Sequence, residues 1–194
     1  MSAAATILGC EGPVLGREER AFFRAADPWG FILFARNVET PAQLRRLTAD
    51  LREAVGRDAP VFIDQEGGRV ARMQAPYWRT WAPPFDQVAR ATDSGTTGWP
   101  ARSMWLRYRL IADELAAVGI DANCAPVGDI AGPATHPFLR NRCYGETPGL
   151  VAEIGRTVAD ALLAGGVLPG VKHKPGPGPA PGDSPTHPPP PRAP

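Results

Sequence analysis

Phe62-Ile63-Asp64-Gln65-Glu66-Gly67-Gly68-Arg69-Val70-Ala71-Arg72 is an apolar run that ends abruptly in two carboxylates, two glycines and two arginines. With Pro60-Val61 ahead of it, the run has the short, β-branched and aromatic composition of a strand buried on both faces. Polar chemistry is therefore delivered to the end of a sheet. Gly67-Gly68 permits a sharp turn beside a ligand. Asp64 offers two acceptor oxygens, and Arg69 and Arg72, three apart, are expected to share one side of a helical turn. The bland reading of the same residues is a strand end with a solvated salt-bridge cluster.

Outward from this stretch, short apolar runs alternate with longer amphipathic ones, the order that implies a parallel sheet. The pattern predicts strands near 4–10, 30–36, 59–64, 119–127 and 167–172, and helices near 17–26, 41–56, 101–118 and 148–165. Thr40-Pro41 and Thr147-Pro148 each place an N-cap before a proline at the first helical position. Leu44, Leu47, Leu51 and Val55 line one helix face, while Gly56, Gly119 and Gly165-Gly166 stand where helices stop. Residues 74–100, with Trp78, Trp81, Pro83, Pro84 and Trp99, read as a long loop packed by aromatics. Five such units fit either an open doubly wound sheet or an unfinished (β/α)8 barrel. The glycine fingerprint of nucleotide-binding sheets is missing, whereas Asn37, Asp64, Asp129 and Lys172-His173 sit at strand ends, where barrel enzymes place their chemistry.

Composition narrows the function classes. With 194 residues, 43% hydrophobic and 21% charged, the chain is sized for one domain with a substantial core. A net charge of +1 with no concentrated basic face gives no case for nucleic acid or an anionic membrane as partner. No run is apolar for the length of a bilayer, and the N-terminus lacks the basic start and apolar stretch of a signal peptide. Cys10, Cys124 and Cys143 are odd in number and lack metal-ligand spacing, which points to reduced thiols in a cytoplasmic setting and to small buried residues rather than nucleophiles. No metal or organic cofactor is implied.

Four segments in order, Gly30 to Asn37, Ile63 to Val70, Asn123 to Asp129 and Val171 to Gly176, resemble the signatures of the β-N-acetylhexosaminidases of glycoside hydrolase family 3, the bacterial cell-wall recycling enzymes. The resemblance runs from about residue 6 to residue 173. It implies a TIM-type (β/α)8 barrel, of which this chain supplies about five units, since a typical barrel needs about 250 residues. It also implies a small carbohydrate substrate, an N-acetylglucosamine-containing muropeptide, with Asp64 accepting from ring hydroxyls and Arg72, Arg142, Lys172 and His173 donating to others. Charged partners roughly double the strength of such hydrogen bonds. Arg142 stands in Asn141-Arg142-Cys143-Tyr144-Gly145, where the family more usually has Asp-Arg-Ser-Phe-Gly. Asp129, Glu66 and His136 are expected to be orienting or structural groups.

From Lys174 to Pro194 the composition changes: ten of 21 residues are proline, three are glycine, and none is Val, Ile, Leu or Phe. Such a segment buries too little apolar surface to offset its ordering entropy, so 174–194 is expected to be a disordered tail beside a domain over 1–173. A proline-rich ligand of SH3 type is the functional reading of the same composition. The family continues after Lys-His with Phe-Pro-Gly-His-Gly and then Asp-Ser-His; here the positions read Lys174-Pro175-Gly176-Pro177-Gly178 and Asp183-Ser184-Pro185. By resemblance, Asp183 is the remnant of an Asp–His dyad that would protonate the leaving group, a role an imidazole with pKa near 6.5 suits. Pro185 replaces the histidine, and the nucleophilic aspartate is expected beyond Pro194. The expectation is an out-of-frame or truncated, inactive copy, with self-association through an unclosed sheet. The rival, from another class, is a non-catalytic N-acetylglucosamine-binding or regulatory protein.

Overall fold

The computed structural model describes residues 3–173. In chain order the elements are β1 (Ala4–Gly9), α1 (Arg17–Ala26), β2 (Pro28–Leu33), α2 (Pro41–Val55), β3 (Val61–Ile63), β4 (Gln65–Gly67), β5 (Val70–Ala71), α3 (Pro84–Asp93), α4 (Trp99–Ala116), β6 (Ala122–Asn123), α5 (Pro137–Arg140), α6 (Pro148–Ala164) and β7 (Leu168–Pro169). The main sheet is parallel, in the order β1-β2-β3-β6-β7. Each strand is added on the same side of its predecessor, so the sheet is singly wound. The order never reverses, which removes the doubly wound alternative and leaves the winding of a barrel. Among the described residues β1 and β7 each have a single neighbour, and the barrel is not closed.

The helix signals act as expected. Thr40 accepts a hydrogen bond from the Gln43 N–H at 3.1 Å, and Pro41 follows it at the start of α2. Gly56 ends that helix with φ 65°, a conformation glycine adopts without a Cβ penalty. Leu44, Leu47 and Leu51 of α2 are buried with Phe31 and Leu33 of β2 and with Val61 and Ile63 of β3. Ile111 and Leu115 of α4 and Ile154 and Val158 of α6 belong to the same core, between the helices and the outer face of the sheet. Ile7, Trp29 and Leu168 of the strands stay exposed. No described helix is long and apolar enough to cross a membrane.

Two expectations are overturned. Arg69 and Arg72 do not share a helical turn: β4 and β5 form an antiparallel hairpin, with Gly67 at φ 87° and Gly68 at φ 63° making the bend. The region 74–100 is not one loop, because α3 occupies Pro84–Asp93 and buries Val88 and Ala91. Pro84 opens that helix, where its missing N–H costs nothing. The segment 174–194 lies outside the described residues.

Candidate functional site

The hairpin that follows β3 is the centre of the site, and neighbouring side chains hold it from three directions. Asn123 of β6 accepts from the Gln65 N–H and donates to the Gln65 carbonyl, both at 2.9 Å. The Gln65 amide staples the two hairpin strands, accepting from the Arg72 and Met73 N–H groups at 2.8 and 3.1 Å and donating to the Met73 carbonyl at 2.8 Å. From α4, Arg107 and Tyr108 donate to the Glu66 carbonyl at 2.8 and 3.2 Å. Arg107 also reaches the Ala82 carbonyl and the Gln87 side chain, each at 2.7 Å. A Cβ on Gly67 would run into the Arg107 guanidinium and approach Trp81 Cβ to 2.8 Å, so only glycine fits.

On this frame the polar side chains form one continuous network. Asp64 accepts from Arg72 at 3.1 Å and from Lys172 at 2.6 Å. Lys172 Nζ lies 2.6 Å from Glu66 Oε1 as well. Glu66 receives both arms of Arg142, from Nε at 2.9 Å and Nη2 at 2.8 Å. Arg142 Nη2 then lies 3.4 Å from His173 Nε2, while His173 Nδ1 lies 2.7 Å from Asp129 Oδ2. With Nδ1 donating to a carboxylate, the neutral ring keeps Nε2 as an acceptor. All five residues expected to bind sugar are thus brought together from three stretches of chain. A parallel bridge between Val127 and Lys172 sets the last stretch beside the one carrying Asp129.

The carboxylates of Asp64 and Glu66 share Lys172 and pair with Arg72 and Arg142, while Asp129 pairs with His173. Burial opposes ionisation of Asp64, but Lys172 and Arg72 outweigh it and hold the carboxyl below its ordinary range. Burial likewise opposes the charge on Arg142, and the fork to Glu66 more than compensates, raising its pKa. Asp129 Oδ1 and Arg72 Nε are buried without a hydrogen-bond partner among the described residues.

Glu66 and Asp129 take the orienting places expected of them. Glu66 is wholly buried and organises two cations, and Asp129 fixes the imidazole. Asn37 is structural instead, its amide donating to the Cys10 and Gly12 carbonyls. His136 caps α5 by accepting from the Phe138 N–H. The departures at Asn141 and Cys143 leave Arg142 in place; the Cys143 thiol donates to the Leu139 carbonyl. Burial pushes the thiols of Cys10, Cys124 and Cys143 up to about 11; Cys10 and Cys143 are buried as expected, whereas Cys124 is only half-buried. Asp183, the expected remnant of the dyad, lies outside the described residues.

The family described as "Glycosyl hydrolase family 3 N terminal domain" matches residues 17–194. The chain belongs to this family. It is 32% identical over 187 residues to a beta-hexosaminidase of Nitrosospira multiformis, covering 95% of this chain and 52% of that protein. A beta-hexosaminidase of Methylococcus capsulatus is 34% identical over 179 residues, with coverage of 89% and 49%. Native NagZ from Neisseria gonorrhoeae superimposes with a TM-score of 0.81 at 27% identity, over 90% of this chain and 50% of that one. The same protein has been solved with N-trifluoroacetyl-D-glucosamine. A family 3 beta-N-acetylglucosaminidase from Paenibacillus gives a TM-score of 0.81 at 31% identity, over 92% of this chain and 33% of that one. The family 3 chain spans about half the length of the curated relatives it matches. Its described part is a fragment of a TIM-type (β/α)8 barrel.

Proposed function

We propose that this chain forms the sugar-binding portion of a cytoplasmic β-N-acetylhexosaminidase that acts on terminal β-N-acetylglucosamine of peptidoglycan fragments. The observation that carries this reading is the convergence of Asp64, Arg72, Arg142, Lys172 and His173 on one network beyond the strand ends. A pyranose presents hydroxyls that both donate and accept, and this network offers acceptor oxygens on Asp64 beside donors on Lys172 and the arginines. Likeness to beta-hexosaminidases supports the substrate class. Family hydrolysis needs a proton donor and a nucleophilic carboxylate. Pro185 stands where the donor histidine is expected, so this chain by itself should bind without hydrolysing. Residues 1–173 would be the barrel portion and 174–194 a separate tail. Exposed Ile7, Trp29 and Leu168 on an unclosed sheet would favour self-association.

Purified chain mixed with an aryl β-N-acetylglucosaminide and, separately, titrated with N-acetylglucosamine tests the reading. Saturable binding that is lost in Asp64→Ala, with no turnover above the uncatalysed rate, is expected. Robust turnover would overthrow the proposed inactivity, and absence of any binding would overthrow the sugar site. Binding without turnover also fits the non-catalytic reading; turnover gained by Pro185→His when the chain is fused to the C-terminal half of a related beta-hexosaminidase would separate the two.

A further inference from the structure

Glu66 cannot touch a substrate, because its side chain has no solvent-exposed surface. Yet it is the anion on which the site's donors converge. Oε1 receives Lys172 Nζ at 2.6 Å and Arg142 Nη2 at 2.8 Å, and Oε2 receives Arg142 Nε at 2.9 Å. Its own carbonyl is held by Arg107 and Tyr108 from α4, so neither end of the residue can drift. Arg142 in turn sets the environment of His173 Nε2, 3.4 Å away. Orientation therefore passes from α4 through one buried carboxylate to Arg142, Lys172 and His173.

We propose that Glu66 is the positioning residue of the site: it presents Arg142 and Lys172 to the sugar in fixed geometry and, through Arg142, holds Nε2 of His173 as an acceptor. The inference rests on the sugar-binding reading above and adds a residue to it. A fork between a planar guanidinium and a carboxylate fixes direction as well as distance, which a lone lysine contact does not. Replacing Glu66 by glutamine keeps the shape but turns an N–H₂ toward donors that need an acceptor. Arg142 is then released toward His173, and Lys172 is left to Asp64.

The test uses the full 194-residue chain with N-acetylglucosamine as the probe, comparing wild type with Glu66→Gln. Two readouts are taken: the affinity for the sugar, and the ¹⁵N imidazole resonances of His173, assigned with His173→Gln among the three histidines. The expected result is affinity about ten- to a hundredfold weaker, together with a displaced Nε2 resonance in a variant that remains folded. A carboxylate with a merely structural role would lower the melting temperature and leave Nε2 of the folded protein where it was. An unchanged Nε2 resonance, or wild-type affinity in Glu66→Gln, overturns the inference. Failure of the wild type itself to bind the sugar sinks the underlying reading, a distinct outcome. Should Glu66→Gln not fold, Glu66→Asp keeps the charge but shortens its reach; a smaller loss with a displaced Nε2 is then expected, and wild-type behaviour in both readouts overturns the inference.

Discussion

Removing Lys172 tests the electrostatics of the site at its most connected cation. Its ammonium bonds Asp64 and Glu66 at 2.6 Å each, and its side chain is 16% exposed, so solvent screens these contacts little. Charge-assisted hydrogen bonds contribute about 1.5–3 kcal/mol each, and breaking a buried pair costs about 3–5 kcal/mol. In Lys172→Met both carboxylates keep a second partner, Asp64 through Arg72 and Glu66 through the Arg142 fork. The loss therefore belongs near the low end, about 3 kcal/mol at neutral pH. The sign of the pH dependence follows from Asp64. Burial raises its pKa, Lys172 and Arg72 more than reverse this, and the folded value lies below the unfolded one. Such a group contributes stability that is present above its unfolded pKa and is lost as pH falls through the folded value. Without Lys172, desolvation regains weight and the folded value rises. The gap between wild type and variant should be widest near pH 7 and shrink as pH falls through the unfolded carboxyl range toward the depressed folded value of Asp64, below which the group is protonated in either state. Urea unfolding followed by circular dichroism at several pH values reads it directly. A neutral-pH difference under about 1 kcal/mol, or one that does not narrow in acid, would refute the proposed coupling.

Other perturbations probe the frame. Gly67→Ala adds a Cβ at φ 87° against Arg107 and Trp81, whereas Gly56→Ala meets nothing within 4 Å, so the first should cost about 2–4 kcal/mol and the second about 1 kcal/mol. Equal losses in thermal melts would show that the hairpin is not held against α4 as described. The three thiols, pushed up to about 11, should react with an aromatic disulfide reagent at pH 8 about tenfold more slowly in the folded chain than after denaturation. Rapid labelling of Cys10 and Cys143 in the native state would contradict their burial.

The strands and main helices were legible because their signals are local. Leu44, Leu47 and Leu51 recur at helical spacing, and Thr40 and Gly56 bracket them with a cap and a stop. The hairpin at 65–71 was not legible as a strand pair, since Gln65-Glu66-Gly67 is polar yet fully buried. Its burial is created by Asn123, Arg107 and Arg142, which lie far away in sequence. The helix at Pro84–Asp93 was masked by adjacent prolines that pattern-reading takes for a loop, although proline at a first helical turn is favourable. In the site, the resemblance pointed to Asp64, Lys172 and His173 inside matched segments and to Arg72 and Arg142 in neighbouring stretches similar to the family's. Glu66 and Asp129 act on those residues rather than on solvent-facing space, and their partners appear only once the chain is folded.

A crystal of the chain soaked with N-acetylglucosamine would test the central claim most directly. The account predicts a pyranose ring beyond the ends of β3 and β7, its hydroxyls within hydrogen-bond distance of Asp64, Arg72, Arg142, Lys172 and His173, with Glu66 still gripping Arg142 and Lys172 beneath it. A sugar bound elsewhere, or an empty site at saturating sugar with the same network intact, would contradict it.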